Sequence, residues 1–418
     1  MHPALLATIL VWTISLAGIL CMLLRPRGIS EAWWAGAGAV VLIATGLIPL
    51  RQAASAVYEG LDIYLFLTGM MVLAEVARAE HLFDWAAGLA AAHARHSPRR
   101  LFTLIYVVGI VVTALLSNDA TAVVLTPAVL AVMRRIETNA KPYLLACAFI
   151  ANAASFVFPI SNPANLVVFD KHIPPLFEWL QIFFLPSATS IAVTFLVLRW
   201  CSRTQLAGTF KAELHQAPLT TEGKFALAGL LLAALALIIS SAVGADLGAP
   251  TCAAAFLVVL VLATRNRTVV FHVARGVSWS VLPLVAALFV MVEALKNAGL
   301  LWAGLAGLHW LDHASPLLAR GSSAFAVALL SNGMNNLPVG LMSGAALQHA
   351  QQSGLVAHAL LIGVDLGPNL SVTGSLATIL WLIALRREKV EISAREFFKV
   401  GVIAMPLALT ASLLLLLN

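Results

Sequence analysis

Long apolar runs separated by short charged segments fill the chain. Runs long enough to cross a hydrocarbon core of about 30 Å as helices fall at roughly 4–24, 32–50, 61–77, 143–169, 178–198, 225–243, 250–264, 279–295, 356–385 and 396–417. The run at 4–24 lacks a basic stretch before it and a small-residue cleavage site after it, so it is expected to be a retained span and not a signal peptide. Two further apolar regions, 101–133 and 322–347, do not fit a single crossing. The first has Arg99 and Arg100 before it, Arg134 and Arg135 after it, and Ser117-Asn118-Asp119 at its centre. A straight helix of that length would run to about 50 Å. Basic flanks mark the cytoplasmic side, so the region is expected to enter and leave by that face as a re-entrant hairpin. Irregular backbone at its tip is tolerated only where protein or a wet cavity surrounds it.

Charge sorting supports this topology. With hairpins at 101–133 and 322–347, 21 Lys and Arg residues fall on the cytoplasmic side, and only Arg51, Lys171, Lys296 and Arg320 fall outside. Treating 101–133 as one full crossing reverses the later spans of the first half and spoils the sorting.

The pattern also repeats. Ser117-Asn118-Asp119 is answered by Ser331-Asn332-Gly333-Met334-Asn335-Asn336, and Glu75-x-x-Arg78 by Glu293-x-x-Lys296, at offsets of 214 and 218 residues. Each half reads as three spans, a hairpin, a long interrupted span and a final span. The expected fold is an all-α polytopic membrane protein of two inverted repeats, each with a re-entrant hairpin and a broken transmembrane helix, the architecture of secondary transporters. Residues 1–201 form the first repeat (hairpin 101–133, broken helix 143–169) and 224–418 the second (hairpin 322–347, broken helix 356–385). A cytoplasmic linker, 202–223, joins them and carries no recognisable motif.

The breaks have chemical causes. The stretch Phe158–Phe169 contains two prolines and two asparagines, and Val364–Thr378 contains Gly367-Pro368 and Gly374. Proline removes a backbone donor and clashes with the preceding turn, while glycine tolerates unwound geometry. Broken helices expose free N–H groups at their starts and free carbonyls at their ends. Four such places, two hairpin tips and two breaks, are expected to converge.

Composition narrows the function classes. The chain of 418 residues is 61% hydrophobic and 11% charged, with mean hydropathy +0.94. Soluble domains carry about 25% charged residues. The net charge of +6 comes from basic residues at span ends, so it speaks for topology and not for nucleic acid. Cys21, Cys147, Cys201 and Cys252 are scattered without metal or redox spacing. The histidines lie mostly in loops or at span ends and are assigned to no metal. No phosphate-binding Gly-rich loop occurs, and neither a nucleophile elbow nor a His/Glu metal motif is present. The chain is not read as an enzyme, and no cofactor is expected. Trp33, Trp34, Trp200 and Trp302 read as interface or packing residues.

The candidate substrate-binding residues are Asn118 and Thr121 on the first hairpin and Ser331, Asn332, Asn335 and Asn336 on the second. Ser161, Asn162, Asn165, Asn369 and Thr373 join them from the broken spans. Amides and hydroxyls both donate and accept, which suits a neutral polyhydroxyl solute or a partly dehydrated ion. Asp119 and Asp365 are the candidate proton-coupling groups, because burial favours a neutral carboxyl and water a charged one. A competing reading of each Asn and Ser is that it caps backbone groups at a helix break. For Glu75 and Glu293, a basic residue one turn on favours an i,i+3 ion pair.

At these motifs the chain resembles the arsenite efflux pumps of the ion transporter superfamily. The resemblance is carried by SNDATAVVLTPAVLAV, SNGMNNLPVGL, VDLGPNLSVTGSLATILWL and EVARAEHLFDWAA, and it covers nearly the whole length. The hairpin motifs mark the superfamily. Asn335-Asn336-Leu337-Pro338 combined with Asp365-Leu366-Gly367-Pro368 and Gly374-Ser375-Leu376-Ala377 favours the arsenite branch. Members more often have Gly-Ala where this chain has Ala120-Thr121, which leaves the substrate open. The resemblance implies export of arsenite and antimonite from the bacterial cytoplasm in exchange for protons, by a multi-pass protein of the inner membrane. It also implies, for some members, a separate soluble arsenite-stimulated ATPase; a homo-oligomer is allowed. The alternative within the same fold is a sodium–proton antiporter or another anion or silicate carrier. Cys147 is tempting as an arsenic ligand, but with no second cysteine nearby it reads as a small packing residue.

Overall fold

The computed structural model describes residues 3–169, 173–210, 218–300, 316–349 and 354–416. Lys171, Trp302 and linker residues 211–217 lie outside the described residues. Among the described residues all regular structure is helical.

The first half opens with α1 (Pro3–Leu24), α2 (Glu31–Ala44), α3 (Leu50–Glu59), α4 (Leu61–Ala79) and α5 (Leu82–Ala92). The hairpin follows as α6 (Pro98–Leu115) and α7 (118–135). The latter begins as Asn118–Ala120, passes through a π-helical turn over Thr121–Leu125 and continues as Thr126–Arg135. The broken helix comprises α8 (Lys141–Ala153) and α9 (Pro163–Phe169), and α10 (Leu176–Cys201) closes the half. The same order returns as α11 (Thr221–Ala242), α12 (Gly248–Ala263), α13 (Thr268–Gly276) and α14 (Val281–Leu295). A hairpin of α15 (Pro316–Met334) and α16 (Asn336–His349), a broken helix of α17 (Leu355–Leu366) and α18 (Leu376–Arg387), and α19 (Ala394–Leu415) complete it.

The packing is reciprocal. Helix α4 lies along α12, and α2 along α14; α3 touches α14, and α13 touches α4. The second limb of each hairpin packs on the broken helix of the opposite half, α7 on α18 and α16 on α9. Helices α10 and α19 pair with each other. Interlocked in this way, the halves bury one continuous core of small and aliphatic residues.

Region 101–133 is a hairpin. Only residues 136–140 separate its end from α8, and Tyr143 near the start of α8 donates its hydroxyl to the carbonyl of Pro98 at 3.2 Å. Both feet of the hairpin are therefore on one face. The same face gathers the Arg134–Glu388 pair at 2.6 Å, the Lys141–Glu396 pair at 2.9 Å and the Arg199–Thr103 hydrogen bond. The opposite face gathers Asn297 with Gln52 and the backbone of Gly248 with Asp62.

Some expected spans come out differently. The run at 32–50 is helical only to Ala44, because Thr45-Gly46, with Gly46 at φ 72°, turns the chain and Pro49 precedes a new helix. Helices α3 and α4 meet at a 48° bend. Six stretches among the described residues are long and apolar enough to cross a membrane, or seven if that bent pair counts as one span. Helix α5 is a shorter apolar helix of 11 residues, while α13 and α14 together form one of the six long apolar stretches. Trp33 and Trp200 are exposed, as interface residues would be.

Candidate functional site

At the first hairpin tip the chain turns by extending Ser117 (φ −174°, ψ 164°), whose hydroxyl accepts from the amide of Ala120 at 3.1 Å. The Asn118 side-chain oxygen accepts from the amide of Asp119 at 2.8 Å. These residues supply the caps that a helix start needs when no water is at hand. Across the π-helical turn that follows, the Thr126 hydroxyl donates to the Thr121 carbonyl at 3.1 Å.

The first break is held by side-chain donors. Asn165 donates to the carbonyls of Ser155, Phe158 and Pro159 (2.9–3.3 Å). Ser190 reaches Ala153 at 3.0 Å, and Trp179 and Ser187 both reach Phe156 at 3.1 Å. Ser161 donates to Ala114 at 3.1 Å and accepts from the amide of Phe158, tying the break to α6. At the second hairpin tip Asn335 adopts φ 74°, a left-handed conformation that asparagine tolerates better than most residues. The Asn336 amide then donates to Gly374 at 2.8 Å. Asn332 donates to Ala328 and Gly367 and accepts from Ser371, while Thr373 donates to the Asn332 carbonyl at 2.8 Å. A side chain at position 374 would overlap Pro368, so glycine is required there.

These ends meet around a cavity of about 30 Å³. Asn118 and Asp119 come from the first hairpin, Asn162 and Pro163 from the first break, Asn336 and Leu337 from the second hairpin, and Ser375, Leu376 and Ala377 from the second break. Leu67 of α4 and Val281 and Val285 of α14 close the remaining wall. Every broken end at this cavity is a helix start. Of these, α16 (14 residues), α18 (12 residues) and α7 are long enough to present a positive dipole end. Among the described lining residues, Asp119 is the one charged side chain.

Asn118, Asp119, Asn162 and Asn336 thus come together. The other candidates lie behind the wall. Thr121 is buried and shares a hydrogen bond with Thr113 at 2.8 Å. Asn369 donates to the Phe149 carbonyl and accepts from Asn152, and Ser331 bonds back to Val327. Ser161, Asn165, Asn332 and Thr373 make the backbone contacts described above, and the Asn335 side-chain oxygen accepts from the amide of Leu337 at 3.3 Å. Asp365 is fully buried and accepts from the Asn162 amide at 2.7 Å, so it orients a lining residue and does not line the cavity itself. Cys147 is buried in α8, away from the lining. Ser375 is a lining residue absent from the sequence-based candidates. It caps α18 by accepting from the Thr378 amide at 3.1 Å, and the Ser-x-x-Thr spacing after Gly374 was the available signal.

A sequence model of the citrate transporter family matches residues 9–364. The chain belongs to that family. Within the citrate transporter family it is similar to bacterial arsenical pump membrane proteins. It is 28% identical to the one from Yersinia enterocolitica over 91% of each chain, and 27% identical to the one from Escherichia coli K12 over 92% of each. Two solved structures share its fold. The Alcanivorax borkumensis YdaH transporter aligns with TM-score 0.57 at 15% identity, over 87% of this chain and 86% of that one. The MtrF protein of Neisseria gonorrhoeae, described as one of a class of antimetabolite efflux pumps, aligns with TM-score 0.53 at 15% identity, over 90% and 85%. The chain is therefore a multi-pass inner-membrane transporter of the arsenical-pump type.

Proposed function

We propose that this transporter exports arsenite and antimonite from the cytoplasm in exchange for protons. The observation that carries the reading is one acid, Asp119, set among Asn118, Asn162, Asn336 and Ser375 around a small cavity of helix starts. Near neutral pH arsenous acid is mainly an uncharged trihydroxide. Amides can donate to its oxygens and accept from its hydroxyls, and the helix starts favour oxygen atoms by their dipoles. An ionised Asp119 accepts a hydrogen bond from a bound hydroxyl; a protonated one offers that acceptor less well. Solute and proton then compete for one place, and competition at an alternately exposed site is exchange.

The alternatives fit less well. A citrate-sized trianion would meet Asp119 and no lining cation. A sodium ion would face helix starts, whose dipoles oppose positive charge. We further propose that the two halves are repeats of opposite orientation in the membrane; the recurring element order and the reciprocal packing of α2, α4, α12 and α14 support it. A soluble ATPase partner and self-association rest on the resemblance to arsenite pumps and are testable by co-purification from membranes.

Uptake into inverted vesicles under an imposed proton gradient tests the function. Wild-type vesicles should accumulate arsenite, and Asp119→Asn vesicles should not, although the variant still inserts and folds. Sodium-dependent proton release without arsenite uptake would favour the antiporter instead.

A further inference from the structure

A second cavity, of about 80 Å³, shares Leu67, Asp119, Pro163 and Val281 with the central one. From Asp119 it extends along α4 to Glu75 and is closed by Gly276 and Ser278 of the α13–α14 connection. Glu75 is 6% exposed, yet its carboxylate is tied to Arg78, whose Nε donates to both oxygens at 2.9 and 2.8 Å. Arg78 is half exposed, with 52% of its side chain accessible. The carboxylate also rests directly on the Cα of Gly276, where any side chain would overlap it. An interface anchor would hold its acid outward. This one is turned inward, into the cavity that reaches Asp119, and only its arginine meets the surface.

The second half carries a matching arrangement. A third cavity, of about 50 Å³, runs between α14 and the second hairpin and is lined by Glu59, Glu293 and Lys296. Glu293 and Lys296 form an i,i+3 ion pair at 3.2 Å. Each hairpin is thus bordered by a cavity lined by an acid that is paired with a base one helical turn on, although Arg78, unlike Lys296, lies outside the cavity wall.

We propose that Glu75 is a proton-relay residue between Asp119 and the cytoplasm, with Arg78 holding its carboxylate in place between transfers. The inference rests on the proton-exchange reading above. When Asp119 gives up its proton, the Glu75 carboxylate accepts it through water in the intervening cavity, and the contact with Arg78 weakens. Glu75 then releases the proton to cytoplasmic water, and the ion pair re-forms. No electron moves, and one proton enters for each one that leaves. The charged groups facing Glu75 are Arg78 on its own helix and Asp119 across the cavity; α13 contributes Gly276, the α13–α14 connection Ser278, α14 Val281 and α18 Leu380.

Purified protein in proteoliposomes tests this. Glu75→Gln keeps one acceptor oxygen for Arg78, loses the second, and removes the ionisable group. It should slow proton-driven arsenite uptake at least tenfold and flatten its pH profile. Equilibrium arsenite binding and arsenite–arsenite exchange should stay within twofold of wild type. Glu75→Asp should recover part of the proton-driven rate. Should Glu75→Gln alone fold poorly, the pair Glu75→Gln with Arg78→Gln removes both charges and should show the same loss. A proton-driven rate equal to wild type in these variants would overturn the relay and leave the function standing. So would an equal loss of binding, exchange and melting temperature in Glu75→Gln and Glu75→Asp, which marks a structural role. No proton-driven uptake by wild type would overturn both readings.

Discussion

Individual polar side chains divide by where their hydrogen bonds go. Asn165 spends its amide on three carbonyls of the unwound stretch, where an unsatisfied buried group costs about 1–3 kcal/mol. Asn165→Ala is therefore expected to lower the melting temperature in detergent markedly. Asn118 faces the cavity and also caps the Asp119 amide, so Asn118→Ala should lose about 1 kcal/mol of stability and at least tenfold in arsenite affinity, as titration calorimetry can read. Thr121 tests the division from the other side. Its hydroxyl meets Thr113, so Thr121→Ala should lose about 1 kcal/mol of stability and leave the preference between arsenite and antimonite unchanged. A shifted preference would show that the hydroxyl contacts solute. From the residues alone these asparagines looked equivalent, because an amide suits a cap and a solute equally well.

Among the helices, the breaks were legible and the partners were not. Proline, glycine and asparagine predicted unwinding within 158–169 and 364–378; the first helix already ends at Ala153 and resumes at Pro163, and the second ends at Leu366. Ser117 and Asn335 mark the hairpin tips in the same way. The short helices α3 and α5 were not legible, since at 10 and 11 residues neither is long enough to register as a span. That every broken end at the cavity is a helix start could not be read from a one-dimensional pattern. Cysteines placed at Asn118 and Asn336 in a background lacking the native four are expected to cross-link in membranes with a short bifunctional reagent. Bound arsenite should slow the reaction. Absence of any cross-link would contradict the meeting of the two tips.

For the molecule as a whole, the interlocking halves set the directions of access. Arg134–Glu388 and Lys141–Glu396 tie the first hairpin and broken helix to the end of the second half. Such exposed pairs are worth about 0–1 kcal/mol each, so they mark a shared face more than they stabilise it. Cysteines at Arg134 or Glu388 should react with an impermeant maleimide only from the cytoplasmic side, and one at Arg51 only from the opposite side. The reverse labelling would put Glu75 on the outer side and overturn its assignment to the cytoplasmic path.

The order of apolar runs, the placing of Lys and Arg and the punctuation by proline, glycine and asparagine were enough to establish a helical membrane protein with hairpins and interrupted spans. These are local properties: hydropathy, charge and backbone stiffness act within one or two turns. The choice of Asn118, Asp119, Asn162, Asn336 and Ser375 as the cavity wall depends on contacts across more than 200 residues, as does the retreat of Asp365 behind Asn162. Packing made that choice, because each hairpin limb buries its apolar face against the opposite half and so fixes which polar face is left toward the centre.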